Sequence, residues 1–139
     1  MPMTARARSV DGGPHHTIDV NGRHTIRTDT PERLGGTDSA PSPHELLPAM
    51  LASCVSTMIC MYARVRDWPL SDVEVDAEYD AAAVPRHVQV TVNLPEGLTA
   101  GQVARLRRVA ETCPVKRALE TGFTFDEQIV LRPPAPATV

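Results

Sequence analysis

The apolar and polar positions divide this chain into segments of two periods. From Leu46 to Ala63, eighteen residues run without a charge. That is too long for a strand and reads as a helix that is apolar on nearly every side. Before it, His16-Thr-Ile-Asp-Val20 and Arg23-His-Thr-Ile-Arg27 flank Asn21-Gly22, the dipeptide of a tight hairpin. A two-residue turn would put Ile18 and Ile26 on opposite faces. A three-residue loop pairs Val20 with His24 and Ile18 with Ile26, gathering the apolar side chains on one face, and this is the register expected. After the helix, Val73, Val75, Ala77 and Tyr79 alternate, then Val88, Val90, Val92 and Leu94, as in two half-buried strands. Val103, Leu106, Val109 and Ala110 recur at helical spacing, and Phe123 to Leu131 reads as a last strand.

Punctuating residues set the boundaries. Ser42 is a good N-cap, Pro43 suits the first helical position, and Glu45 stands three residues after the cap to complete a capping box. Pro48 removes one helical hydrogen bond and is expected to kink the long helix, which ends near Arg66 before Trp68-Pro69. Thr99 caps the second helix with Gln102 three residues on, and Cys113-Pro114 ends it, Pro114 opening a short turn of helix to Gly122. Residues 1–14, with Gly12-Gly13-Pro14, are expected to form a loose arm or an edge strand. Residues 28–41 form a connector, and the Pro-rich tail, 132–139, is expected to be disordered. The order hairpin, long helix, hairpin, helix, strand predicts a single α+β domain over 1–139 with antiparallel pairing.

Charge narrows the partners. The net charge is −3, with thirteen arginines and one lysine, and the acids around Arg105, Arg107 and Arg108 leave no basic stripe to invite nucleic acid. The uncharged segment is at the lower limit for a membrane span, but it carries Pro48, Ser53, Ser56, Thr57 and two cysteines. A helix enclosed by protein is the better reading, and a chain of 139 residues has trouble enclosing it alone, which predicts a dimer sharing its core. Met-Pro-Met-Thr-Ala-Arg-Ala-Arg has no apolar stretch after its arginines, and three cysteines are an odd number. A cytoplasmic chain with reduced thiols is therefore expected.

Two of those thiols have informative settings. Cys54 lies in the middle of the apolar helix, and Cys113 lies at the N-terminal edge of the short one, where unpaired N–H groups and the helix dipole favour a thiolate. Buried thiols are more often inert packing. Cys60, six positions after Cys54, is about 120° round the helix, so the two cannot bridge, and core packing is its expected role. The hydroxyls of Ser53, Ser56 and Thr57 are expected to bond the preceding turn rather than a thiolate. The histidines at 15, 16, 24 and 87 show no ligand spacing with the cysteines, so neither metal nor cofactor is expected.

Taken together, Leu34-Gly-Gly-Thr-Asp-Ser-Ala-Pro-Ser-Pro-His-Glu-Leu-Leu47, Ala52-Ser-Cys54, Met61-Tyr-Ala-Arg64, Trp68-Pro-Leu70, Glu111-Thr-Cys-Pro-Val115 and Ala118-Leu-Glu120 resemble the osmotically inducible protein C / organic hydroperoxide resistance (OsmC/Ohr) family over about residues 16–131. The resemblance implies a swapped homodimer in which two long buried central helices are wrapped by antiparallel sheets. It also implies that Cys54 attacks a hydroperoxide to give a sulfenic acid and that Cys113 then condenses with it as a disulfide for an external dithiol to reduce. An apolar lining would select small organic hydroperoxides.

The chain departs from the family's peroxidases in the groups that activate the thiol. Their glutamate, directly after the helix-opening proline, is His44 here, with Glu45 one step late; their arginine has candidates in Arg8, Arg23 and Arg27. On one helix Glu45 points about 180° from Cys54, and His44 is about 80° off and roughly 15 Å up the axis. Glu45 is expected to serve the capping box and His44 to lie on the surface. Two readings follow: a thiol peroxidase using Cys54 and Cys113, or a non-catalytic dimer of the same fold that binds a small ligand and keeps its cysteines as structure.

Overall fold

The computed structural model describes residues 2–134. Strands β1 (Ala5–Ser9), β2 (His16–Val20) and β3 (His24–Thr28) form an antiparallel sheet in chain order. A 3₁₀ turn (Glu32–Leu34) leads to helix α1 (Pro43–Val65), followed by the hairpin β4 (Glu74–Asp80) and β5 (His87–Asn93), then α2 (Ala100–Glu111) and α3 (Pro114–Thr121). The α+β antiparallel architecture is the one expected.

Local chemistry accounts for the boundaries. Asn21 and Gly22 both have positive φ, and Arg23 N–H donates to the Val20 carbonyl, so the loop holds three residues and pairs Val20 with His24 and Ile18 with Ile26. The apolar face thus forms as the pattern required. Ser42 accepts from the Glu45 N–H at the start of α1, and its hydroxyl donates to the Glu45 carboxylate at 3.2 Å. Helix α1 is continuous through Pro48, which sits in its second turn. At α2, Thr99 and Gln102 satisfy one another's backbone N–H groups in a reciprocal capping box.

Along α1 one stripe is buried, Leu51, Val55, Ile59 and Ala63, each four residues from the last. It packs on β4, β5, α2 and α3. Leu106 and Cys113 complete the core, with the inward valines of β4 and β5 against them. Helix α1 is long and apolar enough to cross a membrane, and it spends this one stripe on the core. Beside it Cys54 and Tyr62 are partly buried on the core, while other apolar side chains of the helix, Met50, Met61 and Val65, are exposed. Among the described residues, no substantial packing joins the β1–β3 sheet to the helices or to the second sheet.

Two expectations change and one pair of alternatives is decided. Residues 123–131 form no strand: Phe125 is 77% exposed and Leu131 94%, and no strand of the described residues pairs with them. Apolar alternation supplies side chains for a sheet but not the neighbouring edge that a strand's backbone requires. Within 1–14, Ala5–Ser9 pairs with β2, so of the two alternatives the edge strand forms rather than a loose arm. Cys60 is exposed rather than packed in the core, because the buried stripe of α1 is narrower than its apolar composition suggested. Of the tail, 132–134 carry no regular structure, and 135–139 lie outside the described residues.

Candidate functional site

Helix α1 carries Cys54 one residue before Val55 of its buried stripe, and α3 packs against this part of α1. Cys113 is the N-cap of α3 and is 0% exposed; Pro114 holds the first helical position. This brings Cys54 against the core cluster that includes Cys113, 59 positions away in sequence, with Val115 packed on the same cluster, and the two thiols lie close enough to perturb one another's ionisation. Both cysteines are free thiols.

The ionisation of Cys54 reflects these neighbours. Burial pushes its pKa up, and the Cys113 thiol raises it further; the Val115 N–H works in the opposite direction by stabilising the thiolate. The net displacement is upward. A thiolate forms here with difficulty, but once formed it lies against a second thiol.

The other predicted residues stand apart from this pair. His44 and Glu45 are exposed at the start of α1, and Glu45 is held by Ser42 as the third residue of the cap. Arg27 donates from Nε and Nη2 to Nε2 of His15, at 3.2 and 2.9 Å. Its row in the sheet is Arg8–Thr17–Arg27, beside Arg6–Asp19–Thr25. The alternate rows, Ala7–Ile18–Ile26 and Ala5–Val20–His24, form the apolar face. Arg8 and Arg27 therefore project from the polar face of their sheet, and Arg23 lies in the turn.

Two features were missed from the sequence. Asp29 is 1% exposed, and its carboxylate accepts hydrogen bonds from the backbone N–H of Thr30, Thr37 and Ser39 and from the hydroxyls of Thr37 and Ser39, at 2.8–3.2 Å. These donors hold its pKa far below the usual carboxylate range. The knot ties down the connector between β3 and α1. The cluster of Ser, Thr and Asp around Gly35-Gly36 was its signal, since such residues bond local backbone. The second feature is a cavity of about 410 Å³ between β5 and α2, floored by Val55, Val92 and Leu106, with Arg107, Glu111 and Lys116 among its lining. It shares Val55 and Leu106 with the core that holds the thiols but does not open onto the sulfurs.

Comparison with known proteins agrees with this architecture. The fold matches an osmotic stress induced and detoxification response protein, so named, of Psychrobacter arcticus (TM-score 0.70, 26% identity over 83% of this chain and 86% of the other). It also matches the organic hydroperoxide resistance protein OsmC of Legionella pneumophila (TM-score 0.58, 26% identity over 86% and 89%). An OsmC-like protein of Mycoplasma pneumoniae has the same fold at 14% identity (TM-score 0.64, 86% of each chain). No curated protein matches the sequence. The sequence profile of the OsmC-like proteins matches residues 36–128, two-thirds of the chain and the whole span from the connector through both thiols. On that match and this fold, the chain belongs to the OsmC-like protein family.

Proposed function

We propose that this protein is a cytoplasmic, homodimeric thiol peroxidase that reduces small apolar organic hydroperoxides. The observation that carries the reading is the meeting of Cys54 and Cys113 at the start of α3. The Cys54 thiolate attacks the outer peroxide oxygen, the O–O bond breaks, and the alkoxide leaves and takes a proton as alcohol. Cys54 is then a sulfenic acid. Cys113 loses its proton and attacks that sulfur, expelling water and leaving a disulfide, which an external dithiol reduces with two electrons. The hydroperoxide resistance name of the Legionella relative supports the substrate class.

The upward displacement of the Cys54 pKa favours a second reading, a ligand-binding dimer in which both thiols are structural. One experiment separates the two. Cumene hydroperoxide is added to reduced protein and the thiols are mapped by peptide mass spectrometry. A peroxidase gives a Cys54–Cys113 disulfide at one equivalent per chain, and Cys54→Ser abolishes peroxide consumption. Retention of both thiols after prolonged exposure would establish the ligand-binding reading.

A further inference from the structure

We propose that the external dithiol attacks the disulfide at the Cys54 sulfur, with Cys113 as the thiolate that leaves. The inference rests on the peroxidase reading and gives the reductant the same way in as the hydroperoxide. Its first support is burial. Cys113 is 0% exposed within one chain and shares the core cluster with Leu51, Val55, Ile59 and Leu106. Its backbone is tied on both sides: its N–H donates to the Ala110 carbonyl at 3.3 Å, and its carbonyl accepts the Arg117 N–H at 3.0 Å. These bonds join the end of α2 to the start of α3, so baring the sulfur would mean parting the two helices. Cys54 is only half-buried, at the border of the stripe that α1 turns inward. Met50, four residues before it on the same face, is 47% exposed. A second chain can add cover to Cys113 but cannot remove the cover that this chain supplies. It must leave Cys54 open for a hydroperoxide to arrive at all.

The second support is direction. Thiol–disulfide exchange runs in line: the incoming, attacked and leaving sulfurs lie nearly on one axis, so access to the far side of the attacked sulfur decides the outcome. Cys54 packs from its helix onto the cluster that contains Cys113. A bond between them therefore runs from the core outward. The far side of Cys113 is core, and the far side of Cys54 is the outer side of that packing. In the step itself one thiolate of the dithiol bonds to the Cys54 sulfur, the Cys54–Cys113 bond breaks, and Cys113 keeps the electron pair and takes up a proton. The second thiolate of the dithiol then attacks the reductant sulfur held on Cys54. The oxidised reductant leaves as a disulfide and Cys54 is released as thiolate, so two electrons pass from the dithiol to the protein.

The test uses full-length Cys60→Ser protein whose Cys54–Cys113 disulfide is closed with diamide, so that no peroxide is involved. A monothiol, 2-mercaptoethanol, replaces the dithiol because its mixed disulfide cannot resolve itself. After short exposure the protein is quenched in acidic denaturant with N-ethylmaleimide and mapped by peptide mass spectrometry. Mercaptoethanol on Cys54 with maleimide on Cys113 should exceed the reverse pattern by about tenfold or more, as unequal access to the two sulfurs requires. In urea that unfolds the chain both sulfurs are open, and the preference should collapse toward equality. Equal amounts in the folded protein, or adducts mainly on Cys113, overturn the proposal, as does a preference that persists undiminished in urea. Failure of diamide to close the disulfide overturns this inference and the peroxidase reading together. Adducts on Cys113 in a protein that does reduce hydroperoxide overturn this inference alone; adducts on Cys54 in a protein that does not reduce hydroperoxide sink the proposed function and leave the order of attack standing.

Discussion

Cys54 ionises against burial and against Cys113, with one backbone N–H on its side. The thiolate is the nucleophile, so a pKa displaced upward leaves a smaller reactive fraction at pH 7. Peroxide reduction is therefore expected to be slow at pH 7 and to climb about tenfold per unit as pH rises toward the thiol pKa, a slope that stopped-flow peroxide consumption measures. A plateau already reached below pH 7 would contradict it. Cys60→Ser should leave the rate unchanged because that thiol is exposed on another side of α1. Asp29 has the opposite linkage. Its folded pKa is depressed, so its contribution to stability is complete above the unfolded value of about 3.9 and disappears as pH falls through the folded value. Asp29→Asn should lower the melting temperature at pH 7, with the difference from wild type shrinking below about pH 4.

At the scale of elements, the connector and the helix ends make the sharpest demands. A Cβ on Gly36 would run into the carbonyl and hydroxyl of Thr30 and meet the Asp29 carboxylate, so no room exists for alanine. Gly36→Ala is expected to cost about 1–3 kcal/mol in urea unfolding, the range for forcing atoms into a packed site. Thr99→Ala removes one half of the reciprocal cap of α2 and should cost about 1 kcal/mol. The elements themselves were legible because each is set by near neighbours: Ser42 and Pro43 opened α1, Thr99 and Gln102 opened α2, and Asn21-Gly22 set the hairpin register. The segment 123–131 was misread for the complementary reason, since its pairing depends on an edge that local sequence does not encode.

For the whole molecule, surface area is the informative quantity. A compact 15.1 kDa chain should expose about 7,100 Å². This chain exposes 11,315 Å², with the apolar face of β1–β3, one side of α1 and the segment 123–131 uncovered. The excess, about 4,200 Å² on one chain, is at least as large as the share each chain of an obligate dimer buries. We therefore expect a dimer with no stable folded monomer, so that light scattering gives about twice the chain mass of 15.1 kDa down to the concentration at which the protein unfolds. A folded 15 kDa species at micromolar concentration would overturn this expectation.

The sequence by itself determined the α+β order, the helix caps, the hairpin register and the apolar lengths that mark a shared core, because propensity, capping and periodicity act over a few residues. It also marked Cys54 and Cys113 as the thiols to compare. That the two meet depended on how α3 packs on α1, a contact across 59 positions that no local pattern specifies. The same holds for the five donors that close around Asp29. These contacts depend on how the chain folds back on itself, and only the tertiary structure brings such groups within reach of one another.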